Sequence, residues 1–158
     1  MSLTLTQGVI FLSYITFLVI KFGILPSISD SWYELKKLGG VWYSLFTWFC
    51  YSLGILMFFQ TNGTPLFFIS GAGLCFVGVA THFLDKESIE PWIHFTGAAL
   101  CILGSLIGIG VERHMWIPLI AWGILTVVIE VIPKLKNKTW WVEISAFCCI
   151  ILGLLFSH

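Results

Sequence analysis

The chain has 158 residues and a formal net charge of zero; 58% of its residues are hydrophobic, 16% aromatic and only 10% charged. A soluble domain carries about 25% charged residues, so this surplus of Leu, Ile, Phe and Trp exceeds what one small core can hide, and lipid must cover the rest. The neutral balance, without a basic patch, excludes nucleic acid as a partner.

Read from the amino terminus, the stretch Met1–Leu12 has no positive segment and no Ala-x-Ala cleavage site follows, which predicts that the first apolar run is a retained helix. A bilayer core about 30 Å thick needs roughly 20 apolar residues of helix. Six runs approach that length: Gly8–Leu25, Val41–Gln60, Leu66–Leu84, Trp92–Gly110, Trp116–Ile132 and Trp141–Ser157. None alternates polar with apolar residues, which argues against a barrel. The expected fold is therefore all-α, a polytopic transmembrane bundle of six spans with short loops. The alternative is four spans with two interfacial helices, because the fifth and sixth runs are the shortest and each holds a glutamate.

Thr61-Asn-Gly-Thr-Pro65 reads as a tight hairpin turn between the second and third runs. Loops one, three and five, with the end of the first run, carry Lys21, Lys36, Lys37, Lys86, Lys134, Lys136 and Lys138, against Arg113 alone on the other side. This bias places those loops in the cytoplasm and both termini outside, as in a bacterial inner-membrane protein. Trp92, Trp116, Trp140 and Trp141 stand at run ends, where indoles favour the headgroup zone. Gly104 and Gly108, and the row Ser145, Cys149, Gly153, form small-residue stripes that let helix backbones approach, within one chain or in a homo-oligomer. The five cysteines lie in apolar runs without a CxxC pair and read as packing residues.

Ionisable groups in lipid point to function, and here they gather near the cytoplasmic side. Pro26-Ser-Ile-Ser-Asp30-Ser31 follows the first run, and His82 and Asp85 close the third at a spacing that shares one helical face. His94 opens the fourth, Glu130 lies about a turn inside the fifth, and Glu143 is in the first turn of the sixth. His82, Asp85 and His94 could ligate a zinc ion with an open position for water, with Ser29 and Asp30 orienting a substrate. The plainer alternative leaves both histidines as interfacial residues. Glu130 and Glu143 could form a proton or ion pathway. Equally, Glu130 could pair with Lys134 four residues on, Glu143 could serve the helix macrodipole, and Asp30 with Ser31 could cap a short interfacial helix.

Three segments, Pro26-Ser-Ile-Ser-Asp30, Gly71-Ala-Gly-Leu-Cys-Phe-Val-Gly78 and Ile93-His94-Phe-Thr-Gly97-Ala98, together resemble a six-span family. It contains the DRAM autophagy modulators, the GPI-anchor lipid-remodelling factors and many uncharacterised bacterial relatives. The resemblance covers roughly residues 20–110 and implies a six-helix bundle that acts on or senses membrane lipids. It carries Ser29, Asp30 and His94 over as matched positions. Ser31-Trp32 stands where the family has a glycine, and in its eukaryotic members the first loop is thought to face the lumen, whereas the lysines here place it inside. A more distant similarity to ceramidase-type hydrolases lacks their HxxxH pair. A lipid-binding or lipid-remodelling bundle is thus the leading expectation; a small oligomeric channel or transporter and a non-catalytic sensor or assembly protein are the alternatives.

Overall fold

The computed structural model describes residues 2–60, 65–85 and 87–156. Seven α-helices occur among them: α1 (Ser2–Phe22), α2 (Ser31–Leu38), α3 (Leu45–Phe58), α4 (Leu66–Val79), α5 (Glu90–Arg113), α6 (Ile117–Val131) and α7 (Lys138–Phe156). A 3-10 segment, Gly40–Ser44, leads into α3, and no strand is present among the described residues. The all-α expectation holds. The hairpin expected at Thr61–Pro65 lies outside the described residues apart from Pro65, and so does Lys86.

Four helical stretches are long and apolar enough to cross a membrane: Leu3–Phe22, Gly40–Phe58, Glu90–Arg113 and Lys138–Phe156. The third and fifth runs fold as shorter helices. At about 1.5 Å per residue, the 14 residues of α4 and 15 of α6 rise roughly 21–23 Å, less than a ~30 Å core. The run expected to continue to Leu84 stops at Val79, because Ala80 leaves the helical region at φ −81, ψ 70. Apolar side chains such as Val9, Ile20, Phe95, Ile124 and Phe156 stand exposed on the helices' outer faces, as hydrocarbon solvation requires.

Glycines bring the helices together. A Cβ on Gly73 of α4 would lie 2.6 Å from the Gly97 carbonyl of α5, and one on Gly97 would lie 2.6 Å from the Gly73 carbonyl. Gly54 of α3 and Gly71 of α4 face each other in the same way. Along α4 and α5 the pairs run in opposite senses: Gly73 with Gly97, Ser70 with Gly104, and Phe67 with Gly108. The two helices are therefore antiparallel along most of α4. The Gly104–Gly108 stripe is thus used within the chain, and Gly153 likewise packs on Pro118 of α6 and Ile109 of α5. Without a hydrophobic force between helices in lipid, such close van der Waals approach is what holds them. α6 is peripheral, with Pro118 its one buried residue.

An aromatic seam joins α1, α3 and α7. Tyr14 stacks on Phe49 with centroids 4.1 Å apart, and Phe11 stacks on Phe147 at 5.0 Å. At the far end from the lysines, the buried Gln60 amide donates to Gln7 at 2.6 Å. This polar pair between apolar spans was not anticipated, although Gln7 just before the first run and Gln60 at the end of the second were the visible signal.

Candidate functional site: a buried Ser29–His94 pair

Gly23, at φ 77, takes the left-handed conformation that ends α1, a backbone region glycine enters without steric cost. The segment beyond it is tied to the start of α7 at three places. Asn137 donates its side-chain amide to the Ile24 carbonyl at 2.8 Å, the Trp140 N–H donates to the Pro26 carbonyl at 3.1 Å, and the Ile28 N–H donates to Glu143 Oε2 at 2.5 Å. Next to these ties the Ser27 hydroxyl donates to Asp30 Oδ2 at 2.8 Å and accepts the Asp30 N–H at 3.1 Å. The turn opens α2, whose first residue, Ser31, meets the Tyr14 hydroxyl at 2.6 Å. A short helix is present where one was expected, but the Asp30 side chain makes no capping bond to it.

Ser29 is buried, and its hydroxyl lies 3.0 Å from Nε2 of His94, which is 3% exposed. The other ring nitrogen, Nδ1, lies 2.8 Å from the Ala80 carbonyl. A carbonyl can only accept, so Nδ1 carries the proton, and Nε2 offers its lone pair to the Ser29 hydroxyl. Phe83 stacks on the imidazole at 4.3 Å. The same interaction explains the early end of α4: the Ala80 carbonyl, freed from helix geometry, is satisfied by His94. Glu90 then holds the next stretch by accepting the His82 N–H at 2.7 Å.

Beneath this pair lies a cavity of about 40 Å³ walled by Ser29, Glu143, Phe46, Phe49, Cys50 and Phe147, among others. It adjoins the Ser29 hydroxyl and the Glu143 carboxylate as well as the Cys50 and Cys101 thiols. On α2, Lys36 lies 4.7 Å above the Trp32 ring, and Tyr33 accepts the Leu84 N–H at 3.1 Å. Partial burial pushes the Tyr33 phenol above its usual range.

Of the residues singled out in the sequence, Ser29 and His94 meet, with Asp30 beside them on the Ser27 turn. The proposed ligand set His82, Asp85 and His94 does not form. Residues 80–85 are not helical, so the i,i+3 spacing places nothing on a shared face. Nδ1 of His82 instead lies 3.3 Å from Glu90 and its ring packs edge-on to Trp32. Asp85 accepts the Glu87 N–H in an exposed turn. No cluster of three candidate metal ligands occurs among the described residues. Glu130 stands exposed in the last turn of α6 and pairs with Lys138 at 3.7 Å, with the Lys138 ammonium also donating to the Glu130 carbonyl. The expected partner Lys134 lies past the helix end at Val131, so the helical i,i+4 pairing has no helix to rest on. Glu143 lines the cavity beside Ser29 and accepts the Ile28 N–H.

Because Glu143 receives a main-chain N–H, its loss should loosen the Ser29 segment. Glu143→Leu leaves the Ile28 N–H without its partner, at a cost of about 1–3 kcal/mol. Hydrogen exchange across residues 24–31 is expected to accelerate in Glu143→Leu and to stay near the parent rate in Glu143→Gln, whose amide oxygen can still accept. Equal exchange in all three proteins would rule out the clamp.

A scan against protein-family models finds no match to this chain, and neither curated proteins nor solved structures provide a significant match. The class the helices define is a helical membrane protein.

Proposed function

We propose that the chain is a six-span inner-membrane bundle that binds and remodels membrane lipid at its cytoplasmic face, with Ser29 as nucleophile and His94 as its base. The observation that carries this reading is the 3.0 Å contact between the Ser29 hydroxyl and a His94 ring whose opposite nitrogen is fixed by the Ala80 carbonyl. A nucleophile, a base within hydrogen-bond reach and a third group orienting the base are what acyl transfer through a serine requires. His94 would take the hydroxyl proton as Ser29 attacks a lipid ester carbonyl, and return it to the departing alcohol.

Two further observations support the membrane arrangement. The short α4 runs antiparallel along α5 through the pairs Gly73–Gly97 and Phe67–Gly108, so it lies along the axis of a helix long enough to span. In the same way α6 lies along α7, with Trp122 donating to the Val142 carbonyl at 3.3 Å and Pro118 against Gly153. The site shares one end of the bundle with Lys21, Lys36, Lys37 and Lys138, at the ends of α1, α2 and α7, while Arg113 ends α5 at the other. This polarity favours a cytoplasmic site.

A fluorophosphonate probe applied to the protein in lipid nanodiscs tests the chemistry. The parent is expected to be labelled at Ser29, Ser29→Ala not at all, and His94→Gln roughly 10²–10⁴ times more slowly, the range a general base contributes. A parent left unlabelled under conditions that label a serine hydrolase would refute the nucleophile.

A further inference from the structure

Ser29 is buried, so a lipid must reach it from within the bundle or from the bilayer. Among the grooves that the described residues form on the outer surface, three bear on that route. One, of about 340 Å³, lies between α1 and α7 around Leu5, Leu12 and Leu152, and another, of about 570 Å³, lies on α4 and α5 around Phe76 and Trp92. Neither shares a wall residue with the Ser29 cavity. The third, of about 440 Å³, lies between α1 and α3 and is lined by Ile10, Ser13, Tyr14, Trp48, Phe49 and Ser52 together with flanking apolar residues. Phe49 lines this groove on one side and the Ser29 cavity on the other.

We infer that the groove between α1 and α3 binds one acyl chain of a membrane lipid, with the stacked Tyr14–Phe49 pair as the partition between that chain and Ser29. Both helices bounding the groove belong to stretches long and apolar enough to span a membrane, Leu3–Phe22 and Gly40–Phe58, so bilayer hydrocarbon is what meets its mouth. The walls from Val9 to Phe17 follow α1 for about 12 Å at ~1.5 Å per residue, which suits a stretch of one chain rather than a whole lipid. The partition is coupled to the site by its own bonds: the Tyr14 hydroxyl meets Ser31, two residues from Ser29, at 2.6 Å, and the Tyr14 ring lies 4.1 Å from Phe49. An acyl chain that shifts the Tyr14 ring therefore acts on the segment that holds the nucleophile. The lipid-remodelling purpose of the groove rests on the proposed function; its occupancy does not.

Native mass spectrometry of the protein released from micelles containing a dipalmitoyl phospholipid reads the occupancy directly. Ser52→Trp fills the groove from α3 and Ser13→Phe fills it from α1, while Leu152→Trp fills the α1/α7 groove as a control. The tightest single-lipid adduct is expected to be on the order of tenfold weaker in either groove-filling variant and unchanged in Leu152→Trp. Adducts of equal strength in the parent and both groove-filling variants, or an equal loss in all three variants, would overturn the assignment. Labelling of Ser29 by the small fluorophosphonate separates the two ideas. A parent that loses its adduct on groove filling but is never labelled keeps the acyl site and discards the Ser29 chemistry. A labelled parent whose adduct ignores groove filling does the reverse.

Discussion

Gly97→Leu is expected to leave almost no folded protein. The Cβ alone would sit 2.6 Å from the Gly73 carbonyl oxygen, 3.1 Å from Phe76 Cβ and 3.2 Å from the Val77 nitrogen. None of these atoms is the far end of a flexible side chain, so α4 and α5 would have to separate. Overpacking a tight site costs about 1–3 kcal/mol, which is the range expected for Gly97→Ala. Leucine adds three more heavy atoms at the crossing and should exceed ~4 kcal/mol, the region where single substitutions become exceptional. The damage should also spread to the site. Gly97 lies one turn from His94 on α5, and Gly73 leads into the end of α4 where Ala80 offers its carbonyl. Parting the helices pulls that carbonyl from the imidazole. Gly123→Leu is the matched control, because a Cβ there meets nothing within 4 Å and leucine is the better helix former. Its unfolding midpoint in detergent should stay at or above the parent's, while Gly97→Leu should elute as aggregate in fluorescence-detected size exclusion. A well-folded Gly97→Leu protein would mean that α4 and α5 do not cross at these glycines.

These glycines show how much of the molecule the sequence disclosed. Long apolar runs announced α1, α5 and α7 because their composition alone determines how they meet lipid. Gly71, Gly73 and Gly97 were visible as small residues within such runs, but the partner of each depends on how two helices cross. The third run was read five residues too long for a related reason. Nothing apolar marks Ala80 as a break; it breaks because His94, 14 residues later, takes its carbonyl. The false metal triad has the same origin, since its i,i+3 spacing assumed helix where the chain had already turned aside. Ser29 and His94 stood out as polar residues beside lipid, and the resemblance to the lipid-remodelling family carried over both of them together with Asp30. Their contact spans 65 residues and no local pattern encodes it. Glu143 was harder still. Its partner is the main-chain N–H of Ile28, 115 residues away, and a backbone amide leaves no signature in a sequence.

The Ser29–His94 pair should separate stability from chemistry in a way that a purely structural hydrogen bond does not. His94→Ala removes a ring that Phe83 stacks on, and leaves both the Ala80 carbonyl and the Ser29 hydroxyl without their partner. A truncated buried ring costs roughly 3–5 kcal/mol, and unfolding should move accordingly. Ser29→Ala keeps the ring, its stacking and its bond to Ala80, and loses only the contact at Nε2, so about 1–3 kcal/mol is expected. In stability the two substitutions should be strongly coupled in a double-mutant cycle, because the second removes a partner already gone. In acyl-transfer rate they should be nearly equal, since nucleophile and base act as one unit and removing either removes the step. Thermal unfolding and hydrolysis of a short-chain lipid ester, measured on the same four proteins, give both readouts. Unequal stabilities with equal losses of activity are the mark of a working nucleophile and base. Unequal stabilities with a parent no faster than the double variant would reduce the pair to a pin that holds the segment after α1 against α5.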